Sequence, residues 1–247
     1  MNRQLLLSVV ILALTGSVAL ADHTRSTCEK FRGPYIGAAV GMGWHESEVT
    51  NLGLGIKVGS EDRGVMFGGY AGYNFEHCGH HVIGIEADFN YLNATANGTE
   101  VEFGPTGLVE TVTLKSKTDW FGTLRGRAGL IVHDHMLLYA TGGLAYARVG
   151  QSIFDDCVGC GNSPFNLGMF GQSNDKMKYG WTLGGGIEIA HDQRWLFRAE
   201  TLYIDLGSND RTYVLVTPAG TGISHNRWDD NFWIARVGFA YKFSHSD

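Results

Sequence analysis

Residues 82–92, VIGIEADFNYL, place Ile83, Ile85, Ala87, Phe89 and Tyr91 on one face of an extended chain and Gly84, Glu86, Asp88 and Asn90 on the other. A period of two held over this length specifies a β-strand with one apolar and one polar face. The alternation recurs in eight segments, at roughly 35–45, 65–75, 82–92, 118–132, 136–148, 179–190, 195–206 and 230–243, with no amphipathic helix pattern between them. The chain reads as all-β, and what remains to settle is which face of each strand looks inward.

The connections decide the architecture. Strands two and three are joined by EHCGHH, four and five by HDH, six and seven by HDQR, whereas the other four connections run from about twenty to about thirty residues. Short and long alternate without exception, as in an eight-stranded antiparallel up-and-down transmembrane β-barrel with tight turns on the periplasmic side and long external loops. Spans of nine to eleven tilted residues also match what a bilayer core requires of a strand. A soluble eight-stranded ligand-binding barrel is the competing architecture, and it requires the apolar faces to point inward.

Size separates the two. An eight-stranded lumen is barely wide enough for its own side chains. The bulky set, among it Ile36, Val40, Phe67, Phe75, Ile85, Phe89, Leu124, Trp181, Ile187, Val237 and Phe239, overfills such a space, whereas the opposite set is glycine with paired charges. The apolar faces are therefore assigned to lipid. Closure satisfies every backbone group without water, as a spanning sheet requires. Trp44, Tyr91, Trp120, Trp181, Tyr203 and Trp233, near strand ends, suit the aromatic girdle at a membrane interface. Strand five, MLLYATGGLAYAR, alternates too weakly to assign a facing.

The first 21 residues carry Arg3, the apolar run Leu5–Leu14 and the small-x-small site Ala19-Leu20-Ala21, the pattern of a cleaved secretory leader. The expected division is a signal peptide at 1–21, a periplasmic segment at 22–34, the barrel at 35–243 and a tail at 244–247. Loss of the leader with Arg3 takes the formal net charge from −6 to −7, which disfavours nucleic acid as a partner. Outer-membrane lipid is the expected surrounding; oligomeric state is not legible.

The segments FGGYAGYNF, VIGIEADFNY, LRGRAGLIV, LLYATGGLAYA, YGWTLGGGIEIA, WLFRAETLYIDLG and WIARVGFAYKF resemble the small eight-stranded outer-membrane proteins of alphaproteobacteria, known as outer-membrane immunogenic proteins, porin-family surface antigens or hemin-binding proteins. The resemblance extends from Gly33 to Phe243. It implies a bacterial outer-membrane surface protein that supports envelope integrity, with hemin binding attributed to some members. It also implies recognition by the barrel assembly machinery, which reads terminal aromatics. Here Phe239, Tyr241 and Phe243 supply the alternating signal, followed by Ser244-His245-Ser246-Asp247.

Four groups of residues are candidates for chemistry. Glu86, Asp88, Glu188 and Glu200 share the inward face with Arg125, Arg127, Arg198 and Arg236. An ion pathway is one reading; a salt-bridged plug is the one that the desolvation cost of charge in a narrow lumen favours, and it predicts little or no conductance. Four cysteines in an exported chain point to disulfides. Cys157 and Cys160 are expected in the long loop after strand five and Cys28 and Cys78 on the periplasmic face, so the pairing 28–78 with 157–160 is chosen from three connectivities. His77, His80, His81, His133 and His135, with His191 and His245, fall in periplasmic turns or the tail, where imidazoles can bind hemin iron or a divalent metal, although turn histidines are commonly just solvated. His45 and His225 are the histidines near the external rim. Ser224 and His225 are the residues to weigh for a lipid A-modifying activity, but their adjacency on alternating faces argues against a shared site, and no phosphate-binding, GxSxG or HExxH motif occurs. The external loops, with EVEFGPTGLVETVTLK and RTYVLVTPAGTGISH reading as β-rich arms around Gly/Pro turns, are left as the surface for a ligand or host contact. Strands three, four, seven and eight are expected to extend into them.

Overall fold

A computed structural model describes residues 30–51, 57–77, 80–103, 109–133, 135–158, 174–192, 194–217 and 220–243. Eight strands, β1 (Gly33–Asn51), β2 (Lys57–His77), β3 (His81–Phe103), β4 (Val109–His133), β5 (Met136–Val158), β6 (Asn174–Ala190), β7 (Trp195–Thr217) and β8 (Gly220–Lys242), form one antiparallel meander. Each pairs with its neighbours in sequence, and β1 pairs with β8, closing the barrel. The leader, residues 22–29, Cys28, Cys78, Cys160 and the tail with His245 lie outside the described residues, as do the side chains of Cys157, His77 and His133.

The alternation of the sequence becomes inside and outside. Along β3, Ile83, Ile85, Phe89 and Tyr91 are exposed on the outer wall, while Val82, Glu86, Asp88, Asn90 and Leu92 are buried. The outer wall carries the same kind of residue on every strand, from Ile36 and Val40 on β1 to Val237 and Phe239 on β8. A continuous belt of this size is far beyond the apolar patch that a water-soluble monomer presents, and it fits hydrocarbon. β5 also resolves: Leu137, Tyr139, Thr141, Ala145, Ala147 and Val149 face the lumen, whereas Leu138 and Leu144 face out. Above the belt, Tyr203 packs on Trp181 and on Trp233, and Phe89 on Trp120, with ring centroids 5.0–5.5 Å apart. At the turn end Trp195, Tyr241 and Phe243 pack edge to face in series.

Two expectations are corrected. The strands run well past the aromatic girdle, not only in β3, β4, β7 and β8 but also in β1, β2 and β5, so paired strand takes up most of the long connections. Cys157, expected in a loop outside any strand, lies in β5, where its backbone partners Glu110; the arms around the loop are β-prone and continue the ladder.

The β6–β7 turn is held by Asp192, whose Oδ1 accepts hydrogen bonds from the backbone N–H groups of Arg194 and Trp195, each at 2.7 Å. These bonds favour the carboxylate and hold its pKa below the ordinary aspartate value. Because the folded-state pKa is depressed, the turn's contribution is present above the unfolded-state value and lost as pH falls through the folded one. The difference in urea midpoint between the native chain and Asp192→Ala should therefore shrink to nothing in acid. A difference that persists there would exclude the carboxylate as its source.

Candidate functional site

The lumen is built in layers, and three strands show why. Read from the turn end, the inward residues of β7 are Leu196, Arg198, Glu200, Leu202 and Ile204; those of β8 are Ala240, Gly238, Arg236, Ile234 and Phe232; those of β3 are Val82, Gly84, Glu86, Asp88, Asn90 and Leu92. Each runs apolar, charged, apolar. Lining the strands up by register produces a lower apolar cluster, a charged middle and an upper apolar cluster.

All eight inward charges named from the sequence meet in the middle layer. Arg125 Nη1 donates to Glu200 Oε1 at 3.0 Å, and its Nη2 reaches Asp88 Oδ2 at 3.1 Å and Glu86 Oε1. Arg236 Nε donates to Glu200 Oε2 at 2.7 Å and Nη2 to Asp88 Oδ2 at 2.9 Å. Arg198 bridges Glu86 Oε2 at 2.6 Å and Glu188 Oε2 at 2.8 Å, and Arg127 lies 3.3 Å from the same Glu188 oxygen. Four guanidinium groups face four carboxylates, so the layer is neutral. Every one of these side chains is buried. Charge this far from water persists only when paired and hydrogen-bonded, and the planar fork of arginine lets one side chain bridge several carboxylates where a lysine ammonium offers a single point.

Three tyrosines that sequence reasoning did not single out join this layer to the apolar cluster below it. Tyr35 donates to Glu86 Oε2 at 2.7 Å and accepts from Arg127 Nη1 at 3.0 Å; Tyr139 donates to Glu200 Oε1 at 3.0 Å. Arg198 lies over the Tyr70 ring at 4.1 Å and Arg127 over the Tyr139 ring at 4.2 Å, within cation–π range. Glycine makes room for them: a Cβ on Gly72 would fall 2.3 Å from the Tyr35 hydroxyl oxygen, and one on Gly37 2.5 Å from Tyr70 Cζ. Gly72→Ala should therefore push Tyr35 off Glu86 and cost about 1–3 kcal/mol, the usual range for overpacking. Gly69→Ala, whose Cβ would have its nearest neighbour 3.6 Å away, is the matched control and should leave the unfolding midpoint unchanged. Equal shifts for the two would remove the tyrosine seat from the account.

The lower cluster contains at least one residue from every strand: Tyr35, Tyr70, Val82, Ile131, Leu137, Tyr139, Ala190, Leu196 and Ala240. With them sits Phe31, two residues before β1 begins, fully buried and held by its carbonyl oxygen, which accepts from Asn74 Nδ2 at 2.8 Å. Phe31 thus closes the turn end of the barrel. The upper cluster, with Met66, Leu92, Phe121, Leu202, Ile204, Phe232 and Ile234, closes the other side. Above it Lys178 pairs with Asp230 across the lumen, and His45 Nε2 lies 3.5 Å from Asp230 Oδ1. His45 was placed at the rim from sequence; the structure buries it.

The remaining candidates do not converge. His80, His81, His135 and His191 are exposed along the turn end, and His80 adopts a positive φ of 65° in its turn. Among the described residues no group of three or more His, Cys, Asp or Glu side chains is placed to hold a metal. Ser224 and His225 are consecutive on β8, opposite Tyr213 and Thr212 of β7. Phe239 and Tyr241 lie on the outer side of the end of β8 and Phe243 directly follows it, its N–H donating to Pro34 O at 2.9 Å.

Comparison with known proteins bears on this architecture. Residues 8–243 match the family model of the outer membrane protein beta-barrel domain. The chain is 35% identical over 184 residues to the 31 kDa outer-membrane immunogenic protein of Brucella melitensis, covering 73% of this chain and 67% of that protein. It is 27% identical over 213 residues to the 25 kDa outer-membrane immunogenic protein of the same organism, covering 85% and 78%. The outer membrane protease OmpT of Escherichia coli superposes with a TM-score of 0.50 at 10% identity, over 85% of this chain and 97% of that one, a likeness of fold alone.

Proposed function

The chain belongs to the outer membrane protein beta-barrel family, and from that premise we propose that it acts as a closed, non-conducting barrel that reinforces the outer membrane and holds a stiff β-crown at the cell surface. It resides in the outer membrane, with its apolar belt in lipid. The observation that carries the proposal is the lumen, filled from turn end to crown by an apolar layer, a neutral salt-bridge layer and a second apolar layer. A pathway for ions needs mobile or solvated charge, and here each carboxylate of the middle layer is paired with arginine and Asp230 above it with Lys178. The role is structural and antigenic rather than catalytic: the relatives are named as immunogenic proteins, and the buried carboxylates are committed to guanidinium groups rather than poised beside a nucleophile. Phe239, Tyr241 and Phe243 are the residues proposed to be read by the assembly machinery.

A strain lacking this protein should be more sensitive to detergent and chelator, and sensitivity should return to normal with the native chain or with a variant whose crown hairpins are shortened, because reinforcement resides in the barrel. Rescue by the native chain but not by the shortened variant would move the role to the crown. Unaltered sensitivity in the deletion strain would remove the reinforcing role.

A further inference from the structure

Where β7, β8 and β1 run side by side, a groove of about 420 Å³ opens on the outer wall, lined by Ala38, Val40, Phe197, Val237, Gly238 and Phe239. Register explains the recess. Phe197 lies opposite Phe239, and Phe239 opposite Ala38, so a methyl group ends a row in which the two neighbouring strands carry phenyl rings. Both rings are 50% exposed and stand as walls. They are also held in place: the Phe239 ring lies 6.4 Å from Trp195 and the Phe197 ring 6.3 Å from His191. Walls fixed in advance lower the cost of ordering a site around its occupant, and the volume falls in the range of small-molecule sites.

Position decides the occupant. The groove belongs to the apolar belt, which sits in lipid, so what reaches it is hydrocarbon. Its lower end leads to Trp195 and Tyr241, which pack edge to face at the depth where tryptophan and tyrosine mark the headgroup level. Arg194 comes next, its carbonyl oxygen accepting from the Lys242 N–H at 2.7 Å. On the other side of β8 the Phe243 N–H donates to Pro34 O, and Arg32 lies two residues before Pro34. Both arginines are exposed. Positive charge thus flanks the end of β8 on the same three strands that form the groove, and basic side chains at this depth attract anionic lipid. Asp192, beside Arg194, has its Oδ1 engaged by the backbone N–H groups of the turn. Arg194 is three residues below Phe197, about 10 Å along the strand, an interval that the glycerol and first methylenes of a lipid can bridge.

We propose that the groove seats one acyl chain of an anionic phospholipid, whose phosphate lies against Arg194, with Arg32 adding to the attraction. The site requires the outer wall to sit in lipid and asks nothing of the lumen, so it stands or falls independently of the plug.

The test reconstitutes the refolded mature chain in bilayers of phosphatidylglycerol and phosphatidylcholine, in equal amounts and with identical acyl chains. Native mass spectrometry from mild detergent then counts the phospholipid that stays on the barrel. One phosphatidylglycerol should remain per chain, preferred over phosphatidylcholine by about fivefold, the ratio that one basic side chain at a membrane surface supplies. Ala38→Trp, which fills the groove, should abolish retention, with Ala38→Leu as the milder filling. Ala128→Trp, which adds the same bulk at an exposed alanine of β4, should retain lipid as the native chain does. Arg194→Gln should keep the lipid and lower the headgroup preference toward one. Each variant is first shown to migrate faster unboiled than boiled, so that loss of lipid is not loss of fold. A native chain that retains no phospholipid, or retains the two headgroups equally, would overturn the proposal. Retention in the filled variants equal to that of the native chain would remove the acyl seat, and an unchanged preference in Arg194→Gln would remove the phosphate from Arg194.

Discussion

Arg125→Met is expected to destabilise the barrel by about 3–5 kcal/mol, the range seen when one partner of a buried ion pair is removed, and at the upper end to prevent refolding. Arg125 touches Glu86, Asp88 and Glu200, so its loss leaves the middle layer with one uncompensated negative charge among carboxylates that have no water to turn to. Arg125→Lys should recover only part of the loss, because one ammonium cannot reproduce the fork that spans three carboxylates. The control is Arg227→Ala, which breaks the exposed pair with Asp210 on the crown and should leave the urea midpoint unmoved. If Arg125→Met unfolds at the same urea concentration as the native chain, the layer is hydrated and the account of the lumen is wrong.

Phe31→Ala is the second large effect. A fully buried phenylalanine reduced to alanine costs about 3–5 kcal/mol, and Phe31 sits among residues contributed by all eight strands. This is more than expected of a residue that precedes the barrel. Ion flux should nevertheless stay at the native level in Phe31→Ala, because the charged layer and the upper cluster remain above the vacated space. A shift in midpoint below about 1 kcal/mol would place Phe31 among ordinary surface positions.

How much of this was legible depends on what alternation encodes. Where one face is apolar and the other polar, as in Ile83 to Asn90, periodicity assigns inside and outside without ambiguity, and Glu86 and Arg125, on the polar faces, are buried in the structure. It is silent where both faces are apolar. Tyr91-Leu92, Leu196-Phe197 and Phe232-Trp233-Ile234 are such places, and there Leu92, Leu196, Phe232 and Ile234 prove to be buried. They build the two apolar layers that sequence reasoning missed. A run of consecutive apolar residues at the end of an alternating strand was the available signal. Tyr35, Tyr70 and Tyr139 were hidden for a different reason: their partners lie on other strands, and only register brings a β1 hydroxyl to a β3 carboxylate. His45 looked like a rim residue because the span was taken as eleven residues, and the strand extends to Asn51. The same underestimate put Cys157 in a loop. The lengths of paired strand above the belt follow from β-propensity in the arms, whereas which residues face one another across neighbouring strands is a property of register alone.

The central claim is that the lumen is a packed interior and not a channel. The direct test is ion conductance of the refolded mature chain in a planar bilayer, on protein first shown to be folded by faster migration of the unboiled than the boiled sample in semi-native electrophoresis. The account predicts a heat-modifiable band and no current steps above the bare-membrane baseline across the voltage range in which the bilayer is stable. Reproducible current steps of constant size from that same folded material would contradict it, and would turn the arginine and carboxylate layer from a plug into the lining of a pore.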